Sequence, residues 1–356
     1  MLSFVKALDP TIVLIENVTG LLAHSAAGIE MATVKLICRC LTVLGYQVCF
    51  KVLQAGQYGD PQDRERLIFL AARHGRKLPE FPILTHAFPK AARQWKIPIR
   101  KSDRIRPPKR TLGEEHLFAP HPAVTVNDAI SDLPAFEWIN PHRRIMQTQK
   151  NVTERKQRAL DGISQFNVSR IPVGFVDPVP YRTKPQTRYQ SMMRRGHGSL
   201  VDHHVTQAFS DLVVESTTLV PLRPWSNHRF LPPNILPQRM KRPGDSTNFY
   251  GRLDASSYFK TAMTAPKPDG NNSYFIHPTQ RRALTLREFA RSQGFPDSYV
   301  LCSAKSRASA QLKDYFKQIG NAVPFCLAVA LGRSFGVVSA YEWRRHRRQE
   351  ENSVEG

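Results

Sequence analysis

The sequence predicts an α/β protein that combines part of a regular sheet with a large irregular region. Three observations support this prediction. Short apolar runs rich in β-branched residues alternate with a helical pattern over residues 1–73. Residues 74–272 are rich in Pro, Arg, Lys and aromatic residues and show no sustained periodicity. Helical spacing then returns from Ala283. We therefore expect a regular α/β unit together with a loop-rich recognition domain.

The first 73 residues contain four predicted elements. Thr11–Ile15 and Leu67–Ala71 are apolar runs of strand length, and Tyr46–Leu53 is also strand-like. Residues 29–44 between them carry apolar residues at helical spacing. The resulting order of strand, helix, strand and strand is typical of an α/β sheet.

Two helices are predicted near the carboxyl end. Thr285 is the candidate N-cap of the first, and Glu288 follows three residues later, which is the pattern of a capping box. Gln318–Pro324 is interpreted as a tight Gly-Asn turn that opens the second helix, and we expect that helix to run from about Pro324 to Phe335. The basic tail from Arg344 is expected to be solvated and frayed.

The composition favours an intracellular protein that binds a polyanion. The chain has 51 Lys and Arg residues against 29 Asp and Glu residues, a formal net charge of +22, and such an excess favours polyanions through counterion release. Five scattered cysteines without zinc spacing favour a reducing compartment. We find no amino-terminal signal pattern, and no segment approaches the roughly 20 apolar residues that a membrane span needs. We therefore expect a soluble protein without a membrane partner.

Four short strings carry the candidate chemistry: Glu16-Asn17-Val18, Gln62-Asp63-Arg64-Glu65-Arg66, Ala283–Asp297 and Gln318–Pro324. Glu16 directly follows an apolar run, so its carboxylate should stand at the carboxyl end of a strand, where open α/β sheets build their sites. Arg64 and Arg66 lie two residues apart before the next strand, so both should leave one face of an extended segment. Taken alone, these strings also fit a surface Glu, a solvated charge pair, an ordinary amphipathic helix and a capped helix start.

In order and spacing, the four strings resemble the last conserved blocks of the DNA (cytosine-5) methyltransferases. Other strings, including Leu53–Gly59, Thr125–Pro134 and Tyr250–Asp254, are similar to the eukaryotic maintenance-type enzymes and their fungal relatives. The resemblance covers most of residues 1–335 and is thin between about 136 and 245. It implies part of a Rossmann-like, S-adenosylmethionine-dependent methyltransferase sheet and an irregular, β-rich target-recognition domain.

The resemblance also implies roles for individual residues. Methylation at C5 of cytosine needs a nucleophile that adds to C6, a group that binds or protonates N3, and a methyl donor above C5. Glu16 matches the residue that binds N3 and could share a proton with it. Arg64 and Arg66 match the pair that holds the flipped cytosine and a nearby phosphate. Asn321 and Val323 match residues that contact the methionine end of S-adenosylmethionine.

DNA is the expected partner, through the recognition domain and the arginine block. The candidate DNA contacts are Gln62, Arg64, Lys101, Arg104 and Arg106. Ala283–Asp297 is expected to organise the recognition domain and is assigned no catalytic residue. No metal site is expected, because His197, His203 and His204 have no thiolate partners nearby in the sequence.

Two features of the resembled family are absent from the sequence. It contains no Pro-Cys dipeptide, which in the family supplies the nucleophile, and no glycine-rich turn after a first strand. We therefore interpret the chain as the carboxy-terminal part of such an enzyme, nuclear, with an incomplete cofactor site and no activity alone. The missing half would lie upstream in the gene or on another chain. The alternative is a catalytically dead DNA-binding module used for targeting.

The resemblance also suggests domain boundaries. We expect the second half of the catalytic core at 1–88, the target-recognition domain at 89–272, returning helices at 273–340 and a charged tail at 341–356.

Overall fold

The computed structural model of the chain forms two compact units, one from residues 1–123 and 323–356 and the other from 124–322. The first is called here the sheet unit and the second the recognition unit. The structure describes residues 1–90, 92, 97–98, 104–105, 119–138, 173–175, 177–233, 236, 240 and 247–354. The four domain boundaries expected from the sequence stay a prediction.

The helices of the described residues, in chain order, are α1 (Leu2–Leu8), α2 (Ala32–Val43), α3 (Val126–Ile130), α4 (Arg188–Met193), α5 (Asp211–Leu219), α6 (Leu286–Ser292), α7 (Ala308–Asn321) and α8 (Phe325–Val354). The strands are β1 (Ile12–Asn17), β2 (Tyr46–Gln54), β3 (Gln62–Asp63), β4 (Glu65–Arg73), β5 (His86–Ala87), β6 (Ile97–Pro98), β7 (Arg104–Ile105), β8 (His121–Pro122), β9 (Val173–Gly174), β10 (Val179–Pro180), β11 (Leu200–Val201), β12 (Val205–Thr206), β13 (Gly251–Arg252), β14 (Phe259–Lys260) and β15 (Tyr274–Ile276).

A three-stranded sheet forms the centre of the sheet unit. Its order is β1-β4-β2, and both pairs are antiparallel. The three strands and helix α2 confirm the strand, helix, strand, strand pattern predicted from the first 73 residues. Strand β1 lies at the edge, because β4 is its only strand partner within the described residues. The sheet therefore presents one open edge next to Glu16.

Alternating side chains of the sheet build two cores. Ile15 and Phe69 pack with the apolar stripe of α2, which includes Leu41. On the other face, Ile68 and Leu70 pack with the start of α8 and belong to a second cluster. This division follows from the period of two along a strand, which sends neighbouring residues to opposite faces. The sheet is consequently covered by a helix on each face.

Helix α8 differs from two expectations of the sequence analysis. It extends through residue 354, well past Phe335, so the tail expected to be frayed is helical. Within it, the 21-residue stretch Phe325–Arg345 contains an 18-residue window with a mean hydropathy of 1.2, of which 17% is buried. The expectation that no segment approaches the length of a membrane span is therefore wrong by length and composition. The helix is nevertheless attached to the sheet unit, through buried Leu327 and through an Arg76–Glu342 ion pair of 2.8 Å.

The predicted Gly-Asn turn is also wrong. Gly320 and Asn321 form the last turn of α7, and the chain turns only at residues 322–324. The glycine is explained by packing, because a Cβ at Gly320 would stand 2.6 Å from the backbone carbonyl of Met263. Glycine here permits a close approach of two backbones, a role that the sequence pattern does not distinguish from a turn.

The recognition unit is built around helix α6. The predicted capping box is confirmed: the Thr285 hydroxyl accepts from the Glu288 N–H at 3.1 Å, and the Glu288 carboxylate accepts from the Thr285 N–H at 2.8 Å. Every residue of α6 is buried. The strands of this unit are two or three residues long, so pairing between strands supplies little of its order.

Buried ion pairs, rather than a large sheet, connect the segments of this unit. Arg282 donates two hydrogen bonds to Glu288, at 2.8 and 2.7 Å, and both side chains are almost fully buried. Arg291 bonds to Asp297 at 2.7 Å and to Asp132 at 2.5 Å. Burial opposes ionisation of Glu288, but the Arg282 guanidinium outweighs it and holds the pKa of that carboxyl well below its usual range.

Candidate active site

The candidate catalytic carboxylate pairs directly with one of the candidate arginines. Glu16 lies near the carboxyl end of β1, and Arg66 lies near the start of β4. The two strands are antiparallel neighbours, and Arg66 Nε lies 2.6 Å from Glu16 Oε1. The Arg66 side chain is 9% exposed and that of Glu16 is 23% exposed. The pair is thus anchored inside the protein while the carboxylate remains within reach of a ligand.

Arg64 lies in the same charged group. Its side chain is buried just before β4, and its backbone is fixed by Gln54, whose side-chain oxygen accepts the Arg64 N–H at 2.8 Å. Burial and, to a smaller extent, the charge of Arg66 lower the pKa of Arg64 to about 9, although Glu16 and Asp60 act in the opposite direction. At neutral pH the guanidinium is still charged. The structure therefore brings together the three residues that the sequence singled out for catalysis.

The structure adds a fourth charged residue, Asp60, which the sequence analysis did not single out. Asp60 is completely buried, and its two carboxylate oxygens accept the N–H groups of Cys326 at 3.1 Å and Leu327 at 3.0 Å. These are donors of the first turn of α8, so Asp60 caps this helix from 266 residues away. Burial raises the pKa of Asp60 to about 7, against the hydrogen bonds and the charge of Arg64, which lower it.

Packing explains the small residues that precede Asp60. A Cβ on Gly56 would lie 2.3 Å from the ring of Phe88. Gly59 has a φ of +104°, in the left-handed region that favours glycine, and faces the ring of His86. Because Gly56 and Gly59 have no side chains, the rings of Phe88 and His86 can pack directly against the backbone of the segment that precedes Arg64. We infer that this packing fixes the position of the arginine backbone.

The candidate cofactor residues follow helix α7. Asn321 is the exposed last residue of α7, and Val323 is partly buried two residues before α8. An amide side chain and a small apolar side chain have the chemistry to hold a methionine end, with its polar groups and its aliphatic chain. Asp60 fixes the start of α8, which begins two residues after Val323.

The candidate DNA contacts are described only in part. Gln62 is completely buried in β3. Arg104 lies in β7, of which the backbone is described. Lys101 and Arg106 lie outside the described residues. These four assignments remain predictions.

The histidines of the recognition unit have structural contacts. His204 is buried, and its ring nitrogens bond to the Thr285 hydroxyl at 3.0 Å and to the Pro134 carbonyl at 2.7 Å. Burial lowers the pKa of His204 to about 4, so the ring is neutral at physiological pH. Within the part of the chain that the structure describes, no three His, Cys, Asp or Glu side chains could share a metal ion.

Comparison with known proteins identifies one family. Residues 1–336 match the family described as C-5 cytosine-specific DNA methylase. The DNA (cytosine-5)-methyltransferase 1A of Oryza sativa is 32% identical over 347 residues, which cover 93% of this chain and 19% of that protein. The DNA (cytosine-5)-methyltransferase 2 of Arabidopsis thaliana is 32% identical over 348 residues, 93% of this chain and 20% of that protein. The DNA (cytosine-5)-methyltransferase 1 of Mus musculus is 29% identical over 387 residues, 93% of this chain and 21% of that protein.

The chain therefore spans about a fifth of the length of the curated relatives it matches. Among solved structures, an E. coli prophage-encoded protein described as a DNA modification methyltransferase superposes with a TM-score of 0.55 at 17% identity. The match covers 95% of this chain and 72% of that chain. At this identity the likeness shows the fold, which is that of a methyltransferase α/β domain, as the sequence predicted.

Proposed function

Because this chain belongs to the C-5 cytosine-specific DNA methylase family, we propose that it is the base-holding and DNA-recognition part of a DNA (cytosine-5-)-methyltransferase. Such an enzyme transfers a methyl group from S-adenosylmethionine to C5 of cytosine in DNA. The observation that carries the proposal is the 2.6 Å pair between Glu16 and Arg66, with buried Arg64 in the same charged group. One carboxylate and two guanidiniums would hold and polarise a flipped cytosine, but they cannot supply the nucleophile that adds to C6.

The geometry supports a distinct task for each residue. The Glu16 carboxyl, paired with Arg66, would bind N3 of a cytosine and share a proton with it, which would make the ring a better electron acceptor. The ion pair with Arg66 would keep the carboxylate oriented while 23% of the Glu16 side-chain surface stays exposed. The two arginines would bind the base oxygen O2 and a neighbouring phosphate. S-adenosylmethionine, held in part by Asn321 and Val323, would supply the methyl group.

We propose that these 356 residues alone transfer no methyl group. The sequence contains no Pro-Cys dipeptide, and burial together with Asp60 raises the pKa of the Cys326 thiol well above its usual range. Without a thiolate that adds to C6, C5 is not nucleophilic enough to take a methyl group. The amino-terminal half, encoded upstream or present on another chain, would supply the nucleophile and the remainder of the cofactor site.

The experiment joins this chain to the amino-terminal half of a close relative's catalytic domain. We expect the joined protein to incorporate tritiated methyl groups from S-adenosylmethionine into DNA, and the chain alone to incorporate none. Robust incorporation by the chain alone would contradict the proposal and would direct attention to its five cysteines: Cys38, Cys40, Cys49, Cys302 and Cys326.

A catalytically dead DNA-binding module is the second candidate. The net charge of +22 favours it independently of any catalytic residue. A transcript that extends through upstream codons for a Pro-Cys string would favour the enzyme. Both candidates require DNA binding with strong salt dependence and little sequence preference. A titration of a DNA duplex whose affinity does not change with salt concentration would contradict both.

The finer assignments rest on similarity alone. We propose that the chain belongs to the maintenance-type branch and its fungal relatives, which strings such as Thr125–Pro134 and Tyr250–Asp254 resemble. A nuclear location follows from this proposal, since DNA is the substrate.

A further inference from the structure

The start of helix α8 is capped by a residue from a distant part of the sequence. The first bond within this helix runs from the Ala328 N–H to the Pro324 carbonyl oxygen at 2.9 Å, so the N–H groups of the three residues between them have no acceptor in the helix. Pro324, directly before the helix, has no side-chain oxygen that could cap it. The Asp60 carboxylate instead accepts the Cys326 and Leu327 N–H groups, at 3.1 and 3.0 Å. A buried loop of the sheet unit therefore supplies the cap that the helix itself lacks.

The same loop carries Arg64, one of the two arginines proposed to hold the base. The loop begins at Ala55, whose N–H donates to the Arg64 carbonyl oxygen at 2.9 Å. The Arg64 N–H donates in turn to the side-chain oxygen of Gln54 at 2.8 Å, so the loop is closed at its base. Within the loop, the Gln62 N–H donates to the Asp60 carbonyl oxygen at 2.8 Å. Asp60 is therefore fixed in position relative to Arg64.

On the other side of this cap, the chain leads directly to a candidate cofactor residue. Val323, which would contact the methionine end of S-adenosylmethionine, is partly buried in the sheet unit, two residues before α8. Only Pro324 separates Val323 from the helix, and the ring of a proline fixes its φ. A shift of the first turn of α8 would consequently move Val323 as well.

We propose that Asp60 is a positioning residue for the cofactor, an inference that rests on the proposed function. It keeps Val323 and the start of α8 at a set place relative to Arg64, so that the cofactor end and the base end of the site keep their distance. Asp60 is fully buried and acts through these groups rather than on a substrate. Such positioning matters for group transfer, because a misplacement of about 1 Å can lower a rate by about 10²-fold.

A cap that only stabilised the fold would have different consequences. Loss of folded protein lowers the apparent kcat, but it leaves the KM and Kd of the remaining folded molecules unchanged. A loosened start of α8 in a folded protein instead lowers the fraction of molecules that are competent to bind the cofactor, which raises the apparent Kd. The affinity for the cofactor therefore separates the two roles.

The first measurement is backbone hydrogen exchange in the 356-residue chain at pH 8. Burial raises the pKa of Asp60 to about 7, so the carboxyl is largely ionised at this pH and both oxygens can accept. The amide of the nearly isosteric variant Asp60→Asn has only one oxygen for the two N–H groups. We expect the Cys326 and Leu327 amides to exchange about fivefold to tenfold faster in this variant, the equivalent of one lost cap bond.

The matched control is Glu342→Ala. Glu342 is a carboxylate that holds the same helix about 25 Å further along, at 1.5 Å per residue, through the Arg76 guanidinium at 2.8 Å and the Lys77 N–H at 3.1 Å. This variant should leave the exchange of the two amides at the start of α8 unchanged.

The second measurement is the Kd for S-adenosylmethionine of the joined protein, by isothermal titration calorimetry at pH 8. We expect Asp60→Asn to raise this Kd, and the KM for S-adenosylmethionine, by about fivefold to tenfold, and Glu342→Ala to change neither. A further comparison needs no variant to fold: in the wild-type joined protein, bound S-adenosylmethionine should slow the exchange of the Cys326 and Leu327 amides.

Three results would overturn the inference. If folded Asp60→Asn exchanges both amides at the wild-type rate, Asp60 does not anchor the helix. If exchange accelerates but the Kd is unchanged, or if the bound cofactor does not slow exchange in the wild type, Asp60 is a cap with no positioning role. In both cases the proposed function stands as long as the wild-type joined protein transfers methyl groups. A wild-type joined protein that neither binds S-adenosylmethionine nor transfers a methyl group would contradict the proposed function and this inference together.

Discussion

The two units of the molecule keep charged side chains inside the protein by different means. In the sheet unit, Glu16 and Arg66 stand on adjacent, hydrogen-bonded strands, and Glu16 keeps 23% of its side-chain surface exposed. In the recognition unit, Arg282 and Glu288 are at most 1% exposed, and the strands around them are very short. The first pair is positioned by a sheet, whereas the second pair is itself part of what holds its unit together.

The two ion pairs should therefore differ in how a mutation affects stability. The Glu16–Arg66 pair can be altered with little loss of fold, since its strands remain paired by their backbones. The buried Arg282–Glu288 pair cannot be altered without such a loss, because removal of one partner leaves the other charge buried without a counter-charge. Conversely, only the pair that remains partly exposed can act on a substrate. The predictions below test this separation.

The largest effect on stability is expected at the buried pair. Glu288→Ala removes the carboxylate that accepts both Arg282 hydrogen bonds and the Thr285 cap. We expect the free energy of unfolding to fall by about 3–5 kcal/mol, because an uncompensated guanidinium remains buried. Urea unfolding followed by circular dichroism measures this loss.

The matched control is the ion pair of the sheet unit between Arg76 and Glu342, at 2.8 Å, in which the arginine side chain is 35% exposed. Glu342→Ala should cost much less, because solvent screens a partly exposed pair. Equal losses for Glu288→Ala and Glu342→Ala would show that burial does not distinguish the two pairs.

Asp60 should make stability depend on pH. Its pKa is raised by burial from an ordinary value of 3.8 to about 7, so between these values the folded chain keeps a proton that the unfolded chain releases. Its contribution is fully present below about pH 4 and is lost as the pH rises through 7. We expect a slope of up to about 1.4 kcal/mol per pH unit in that window.

Asp60→Asn is the variant that isolates this contribution, because the amide does not titrate. The free energy of unfolding, measured by urea titration from pH 4 to pH 8, should fall with pH in the wild type relative to the Asn variant. Glu342 should behave in the opposite sense, because its hydrogen bond from Arg76 lowers its pKa and its contribution is lost as the pH falls. Parallel pH profiles for the wild type and Asp60→Asn would refute the role of Asp60.

The smallest effect concerns association. Strand β1 is an edge strand within the described residues, and Leu14 in its middle is 40% exposed. An apolar open edge favours pairing with another chain. We expect concentration-dependent self-association in analytical ultracentrifugation, reduced by Leu14→Lys. The control is Leu222→Lys in the recognition unit, where Leu222 is 46% exposed but outside any strand. A monodisperse wild-type monomer would show that the edge is protected in another way.

The regular elements were predictable because their signals are local. The strand at Thr11–Ile15 and the capping box at Thr285 and Glu288 each depend on residues only a few positions apart. The grouping of Glu16 with Arg64 and Arg66 was reached through the resemblance, since no local rule places Glu16 and Arg66, 50 positions apart (66 − 16), on adjacent strands.

The features that the sequence analysis mispredicted or missed depend instead on contacts between residues that are far apart in the sequence. Gly320 resembles a turn residue, yet its partner is the backbone at Met263. Asp60 stands between a glycine and a proline, a setting typical of a solvated turn, and its partners are the amides of Cys326 and Leu327. Neither partner can be read from the residues nearby in sequence.

The most direct test of the central claim is the methyl-transfer rate of the joined enzyme with Glu16→Gln. If the Arg66-held carboxyl acts on N3 in the transition state, turnover should fall by about 10²–10⁴-fold, while DNA affinity stays near that of the unaltered enzyme. Arg66→Ala should weaken capture of the base as well. A Glu16→Gln enzyme that transfers tritiated methyl groups at the unaltered rate would contradict the account, because the carboxylate would then have no part in the chemistry.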